Sequence, residues 1–227
     1  MATQGSFETD LLPTSAGDLS ITFLGHASLI MVFNGKKIYI DPFGRVADYS
    51  SLPKADVILS THEHYDHLDP QALAAIRTPA TLLVLNPAGA ALVSGSITMR
   101  NGDNQTVADL HIEAVPAYNI IHKREDGQPF HPEGVGNGYI LTFGDTRLYL
   151  AGDTENIPEM KNLQDIDIAF LPMNLPFTMT PEMAADAART FKPRILYPYH
   201  YGDTDTRILV ELLKNEPGIE VRVRKMA

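Results

Sequence analysis

The densest chemistry in the chain is His62-Glu63-His64-Tyr65-Asp66-His67, where three imidazoles and two carboxylates fall within six residues. The whole chain has 8 histidines, so a polar loop that collects three of them by chance is the weaker reading. In an extended segment alternate residues point the same way. His62 and His64 can therefore grip one cation together, and once the chain turns, Asp66 and His67 can face a second. Imidazole and carboxylate suit zinc, manganese or ferrous iron. The chain has no cysteine, so thiolate ligation, thiolate nucleophiles, iron–sulfur clusters and disulfides are excluded.

Two further ligand candidates lie far along the chain, each after a strand-like run. RLYLAGDT puts Asp153 at a strand end behind a glycine that permits close backbone approach. A carboxylate between two cations can bridge both, which makes Asp153 the natural bridging ligand. ILYPYHYGDT presents His200 in the same way, to complete the second site. An isolated Gly-Asp or Tyr-His is ordinarily a turn or a core histidine. These two acquire meaning from the first motif.

The elements that must position these groups read as short strands and short helices. Leu19–Leu24 alternates, Ser28–Phe33 is apolar, and Lys36–Ile40 follows an Asn34-Gly35 turn, a hairpin that Asp41-Pro42 ends. Val57–Thr61 is a buried-strand run that delivers the chain to His62. Gln71–Ile76 and Pro87–Val93 read as helical, with Thr81–Leu85 a strand between them. Leu110–Val115 and Gly138–Phe143 are strand-like, as are Thr146–Ala151, Ile168–Leu171 and Ile195–Tyr197. Thr180 caps a helix with Pro181 at its first position, and Met183, Ala184, Ala187, Ala188 and Phe191 line one face. After Thr204, residues Ile208, Leu209, Leu212 and Leu213 repeat that pattern. Two strand-rich halves, each with helices, predict an α/β layered sandwich with the sheets face to face and helices outside.

Length and composition agree with one such domain: 227 residues, 44% hydrophobic and 20% charged. The net charge of -10 disfavours a general nucleic-acid binder. No apolar run approaches the roughly 18–20 residues of a membrane span, and the N-terminus lacks the basic start and apolar core of a signal peptide. The expectation is a cytoplasmic protein that acts on a small molecule, with no membrane or nucleic-acid partner and room for a homo-oligomer.

THEHYDH, AGDT and the strand-end His200, in that order, resemble the ligand motifs of the metallo-β-lactamase superfamily. ITFLGHASLIM…IYIDP resembles its single-domain branch, which includes L-ascorbate-6-phosphate lactonases and other metal-dependent hydrolases. The resemblance runs from about Ile21 to about Val223. It implies a four-layer αββα sandwich over residues 19–227, after an N-terminal extension of residues 1–18, with metals at one edge of the sheets. It also implies two divalent ions, zinc before manganese or iron, held by His62, His64, Asp66, His67, Asp153 and His200. The expected reaction is attack by a metal-bound hydroxide on a small ester, lactone or phosphoester, with Asp66 also orienting or deprotonating the water. The absence of cysteine argues against a true β-lactamase of the zinc class, and His64 against a diiron oxygen reductase.

The sequence departs from the family pattern at one ligand. A third histidine is expected after a mid-chain strand, where VPAYN places Asn119. His131 folding back, or Asn119 binding directly or through water, are both open, while His122 is expected to be exposed. This departure is the best support for the alternative, a non-catalytic metal-binding protein that keeps the fold. His26 is either an orienting partner for a ligand or a buried histidine satisfied by backbone, and His111 is expected to be structural. The polar stretch 119–138 reads as an active-site flap. Its Lys123 and Arg124 either meet an anionic substrate or form a solvated face. Asn174 follows a buried strand and could point into the site.

Overall fold

Asn34-Gly35 returns the chain on itself, so that Leu29 pairs with Ile40 and Phe33 with Lys36 in an antiparallel hairpin. In the computed structural model, which describes residues 7–227, this hairpin is the middle of a seven-stranded sheet. Its strands lie side by side in chain order: β1 (Glu8–Thr14), β2 (Gly17–Gly25), β3 (Ser28–Phe33), β4 (Lys36–Ile40), β5 (Val57–Leu59), β6 (Leu82–Leu85) and β7 (Ile97–Thr98). The first four are antiparallel, and pairing from β4 onward is parallel.

The second sheet repeats the plan with β8 (Asn104–Val107), β9 (Leu110–Ala117), β10 (Gly136–Phe143), β11 (Thr146–Leu150), β12 (Ile168–Pro172), β13 (Ile195–Tyr199) and β14 (Glu220–Val221). It too is antiparallel through β11 and parallel beyond. Parallel neighbours need crossovers, and α-helices supply four of the six: α1 (Pro70–Ile76), α2 (Pro87–Leu92), α3 (Pro181–Phe191) and α4 (Thr206–Leu213). Asp69, Asn86, Thr180 and Asp205 cap them through their side chains, and the first three caps are followed by proline.

The sheets face each other across a core that includes Ile21, Met31, Leu59, Ile112, Leu141 and Phe170. Val57 and Leu59 point into that core, whereas Ile58 packs outward with Leu73 and Ile76 of α1. Burial on both faces is why β5 reads as an unbroken apolar run. On the other side, Ala184 and Ala188 of α3 and Leu209 and Leu213 of α4 cover Tyr149 and Leu171. These layers are the αββα sandwich.

Glu8–Thr14, assigned from sequence to an N-terminal extension, is the edge strand β1, and its Leu12 reaches the inter-sheet core. β7, β8 and β14 were not anticipated either. They are two to four residues long, and little of their surface is apolar or buried, so no periodicity marks them. Among the described residues, no helix is long and apolar enough to cross a membrane.

The placement of the site follows from the topology. Asp41, His62, Asn119, Asp153 and His200 come one to three residues after β4, β5, β9, β11 and β13, at the strands' carboxyl ends. Helices cover the faces of the sheets and leave this edge open, the usual ligand position in parallel-stranded folds.

Candidate metal centre

Ser60 and Thr61 fasten the loop that carries the motif. The Ser60 hydroxyl lies 3.0 and 2.9 Å from the carbonyl oxygens of His62 and His67, and the N–H groups of His67 and Leu68 donate to the His64 carbonyl. This turn brings His62 and His67 to one side, with ring centroids 4.1 Å apart. Glu63 points elsewhere and accepts a hydrogen bond from Asn86. Gly152 precedes Asp153 at φ +68°, and a β-carbon there would meet the Asn137 carbonyl oxygen at 2.7 Å. Glycine is thus required for the close approach that sets Asp153 against His62 and His67.

The ligand atoms converge in three overlapping groups, each with its atoms within 4.8 Å of one another: His62, His64 and His131; His62, His67 and Asp153; and His26, Asp66, His67 and His200. Asp153 sits centrally. Its Oδ2 is 3.3 Å from His131 Nε2 and 3.4 Å from His200 Nε2, and its Oδ1 is 3.5 Å from His67 Nε2. His62, His67, His131, Asp153 and His200 are buried, whereas Asp66 opens to the surface.

Several imidazoles are held by their other nitrogen. His67 Nδ1 donates to Asp41 Oδ2 at 2.9 Å, and His131 Nδ1 donates to Asn119 Oδ1 at 2.7 Å. The Asn174 amide lies 3.4 Å from His200 Nδ1. The contacts of His67 and His131 leave Nε2 of the neutral ring unprotonated and directed into the cluster, the arrangement that metal-binding histidines need. His26 Nε2 lies 3.0 Å from Asp66 Oδ2, and its ring packs on His200 at 3.7 Å between centroids.

Whether these donors fit a cation is decided by the atoms left over. His67 Nε2, His200 Nε2 and Asp153 Oδ1 are buried and have no hydrogen-bond partner among the described residues, and all three point into the cluster. Buried polar atoms without partners are rare and costly, so their convergence fits divalent ions. His26, Asp41 and His200 also take the left-handed backbone conformation, at φ 53°, 43° and 45°, although none is glycine. Such strain costs roughly 1–3 kcal/mol per residue and gathers at functional sites.

The electrostatics agree. Burial disfavours charge on His67, but the Asp153 and Asp41 carboxylates outweigh it and hold this imidazole well above its usual range. Burial and the neighbouring His67 push His62 well below that range, and burial lowers His131 to about 4. Burial raises Asp153, but His200 and His67 outweigh this and keep it well below the usual carboxylate range. Asp153 stays ionised in a pocket that draws positive charge.

The sequence-derived candidates fall out unevenly. His62, His64, Asp66, His67, Asp153, His200 and His131 meet at one place. The Asn119 amide turns to neighbours of the cluster: its oxygen accepts from His131, and its Nδ2 donates to the Phe177 carbonyl. His122 is a correction: it is half-buried rather than exposed, because its ring and N–H both bond the buried Glu155 carboxylate. His111 lies apart, half-exposed beside Glu113. Sequence reading missed Asp41, taken as the end of a hairpin, and Glu155, two residues beyond Asp153. Their strand-end positions were a signal, but nothing local distinguishes them from turn residues.

The family model described as Beta-lactamase superfamily domain matches residues 20–200. The chain belongs to the metallo-β-lactamase superfamily. A protein of Parabacteroides distasonis with a crystal structure, named as a metal-dependent hydrolase, is 48% identical, superposes with a TM-score of 0.93, and matches 97% of this chain and 100% of that one. A metal-dependent hydrolase of Methanopyrus kandleri is 34% identical over 200 residues, covering 81% of this chain and 84% of that protein. The metallo hydrolase Igni18 of Ignicoccus hospitalis is 24% identical, with a TM-score of 0.73 over 91% of this chain and 95% of that one, and shares the fold. This superfamily member is an enzyme of the metal-dependent hydrolase class.

Proposed function

We propose that the chain hydrolyses a small ester, lactone or phosphoester with two divalent ions, zinc before manganese or iron. His62, His64 and His131 would hold one ion, Asp66, His67 and His200 the other, and Asp153 both. The observation that carries this reading is the convergence of His67 Nε2, His200 Nε2 and Asp153 Oδ1, all buried and without hydrogen-bond partners. When bound, such ions acidify water and polarise a carbonyl or phosphoryl oxygen.

The chain's own residues do the positioning. Burial raises the Asp66 carboxyl, but His200, His26 and His67 outweigh it and hold it below the usual carboxylate range, so it is ionised at neutral pH. Asp66, held through Oδ2 by His26 and partly open to solvent, would also orient or deprotonate the attacking water. Asn119 and Asp41 orient His131 and His67. Asn119 had favoured a non-catalytic reading; its contact with His131 supports catalysis instead.

The test is elemental analysis of chain purified without chelators, paired with hydrolysis of 4-nitrophenyl esters, lactones and phosphodiesters. Two ions per chain and an activity that a chelator removes and zinc or manganese restores are expected. Chelator-insensitive hydrolysis, or unchanged metal content in His62→Ala and His200→Ala chains, would refute the assignment.

A further inference from the structure

A cavity of about 210 Å³ opens from the cluster between the 119–135 flap and the loop after β12. It is smaller than the roughly 300–1,000 Å³ of sites for drug-sized ligands. Asp66, Asp153 and His200 form its inner end, and Arg124, Phe130, Asn174 and Phe177 form its outer wall. Among the described residues, Arg124 is the one permanently cationic side chain lining it.

The flap holds Arg124 in place. Lys123 bridges to Pro129, the Arg124 N–H donates to the Gln128 carbonyl at 2.7 Å, and Gly127 N–H donates back to the Arg124 carbonyl. At the flap's root, Asn119 N–H donates to the His131 carbonyl, and Glu155 fastens the segment from Ile120 to His122. The guanidinium lies over the Phe130 ring at 5.0 Å, and one Nη2–H donates to the Phe130 carbonyl at 3.3 Å. Phe130 meets Phe177 edge-on at 5.0 Å. Arg124 forms no ion pair among the described residues, although the chain carries a net charge of -10. Most of its five donors therefore remain available, in a fork that matches an oxyanion.

We infer that Arg124 is a specificity residue, and that the substrate carries an oxyanion group, carboxylate or phosphate, apart from the bond that is cleaved. The inference rests on hydrolysis at the neighbouring His/Asp cluster. The metal end of the cavity takes the scissile group, the Phe130–Phe177 pair packs the short body of the molecule, and Arg124 takes the distal oxyanion.

Calorimetric binding to the zinc-loaded chain separates the two ends. Valerate offers one carboxylate, glutarate two at the same carbon count, and 3-carboxypropylphosphonate replaces the distal carboxylate by a phosphonate. Glutarate, the phosphonate or both are expected to bind about 10–100-fold tighter than valerate, the scale of a charge-assisted hydrogen-bonded pair. Arg124→Gln should erase that preference and Arg124→Lys should restore part of it. Which acid gains more identifies the distal group. Equal binding of all three acids by the native chain, or a preference untouched by Arg124→Gln, overturns the inference.

Turnover of 4-nitrophenyl valerate and mono-4-nitrophenyl glutarate keeps the two proposals apart. No hydrolysis of any substrate class, with the binding preference intact, refutes the hydrolytic assignment and leaves Arg124 as the oxyanion site. Metal-dependent hydrolysis of both esters with the same kcat/KM, unchanged in Arg124→Gln, refutes the role of Arg124 alone.

Discussion

Asp41 Oδ2 lies 2.9 Å from His67 Nδ1, and both side chains are fully buried. The same carboxylate group accepts hydrogen bonds from the Thr61 N–H at 2.7 Å and the Thr61 hydroxyl at 2.9 Å. One residue at the end of β4 thus orients a candidate ligand and fastens the strand end that presents His62. Replacing it by asparagine puts an amide N–H against donors. Asp41→Asn is expected to weaken metal affinity about 10–100-fold, measured by competition with a chromophoric chelator. Unchanged affinity would mean that Asp41 serves only the fold.

Asp66 stands apart from Asp153, the other acidic candidate, because it is partly open to solvent and held by His26. Asp66→Ala should lower turnover by about 100-fold or more, the scale of lost proton transfer. The thermal midpoint should move far less than for a buried-ligand variant such as Asp153→Ala. A variant with full turnover would remove Asp66 from the reaction.

Glu155 ties the flap to the strand end that carries Asp153. Its buried carboxylate accepts from the N–H groups of Ile120, Ile121 and His122 at 2.7, 2.6 and 2.7 Å, and from the His122 ring. Glu155→Ala should cost about 2–3 kcal/mol, from charge-assisted hydrogen bonds that lose their acceptor. Amide exchange at residues 120–122 should accelerate well beyond the change at β5. Exchange that rises uniformly across the chain would indicate general destabilisation rather than a released flap.

Asp10 joins the edge strand β1 to the C-terminal segment. Its carboxylate takes two hydrogen bonds from Arg224 Nη2, each at 2.8 Å, and another from the Tyr197 hydroxyl. Burial raises the Asp10 carboxyl, but Tyr197, Arg224 and Arg222 outweigh it and lower its pKa below the ordinary aspartate value. A carboxyl lowered in the folded state adds stability above its unfolded pKa, near 4, and that contribution fades as pH falls through the lower folded value. Asp10→Asn should therefore cost about 1–2 kcal/mol at pH 7. Denaturant midpoints of the two proteins should approach each other below about pH 4. A gap that stays constant with pH would assign the loss to packing.

Much of this molecule is legible in its sequence because the governing interactions are local. His62-Glu63-His64-Tyr65-Asp66-His67 announces metal chemistry by spacing alone, and Asn34-Gly35 and Thr180-Pro181 mark a hairpin and a helix start through backbone preferences. Apolar runs such as Val57–Leu59 declare burial on both faces. What only the tertiary structure decided are pairings between residues far apart in the chain. Asn119 accepts from the His131 ring, Asp41 reaches His67 across 26 residues, and Glu155 anchors a loop more than thirty residues earlier. Arg124 faces a cavity walled in part by residues fifty and more positions later, where sequence shows only a basic residue in a polar loop. The physical reason is common to all four: a side chain's partner is set by which strand ends the two sheets bring to one edge, and no local pattern encodes that meeting.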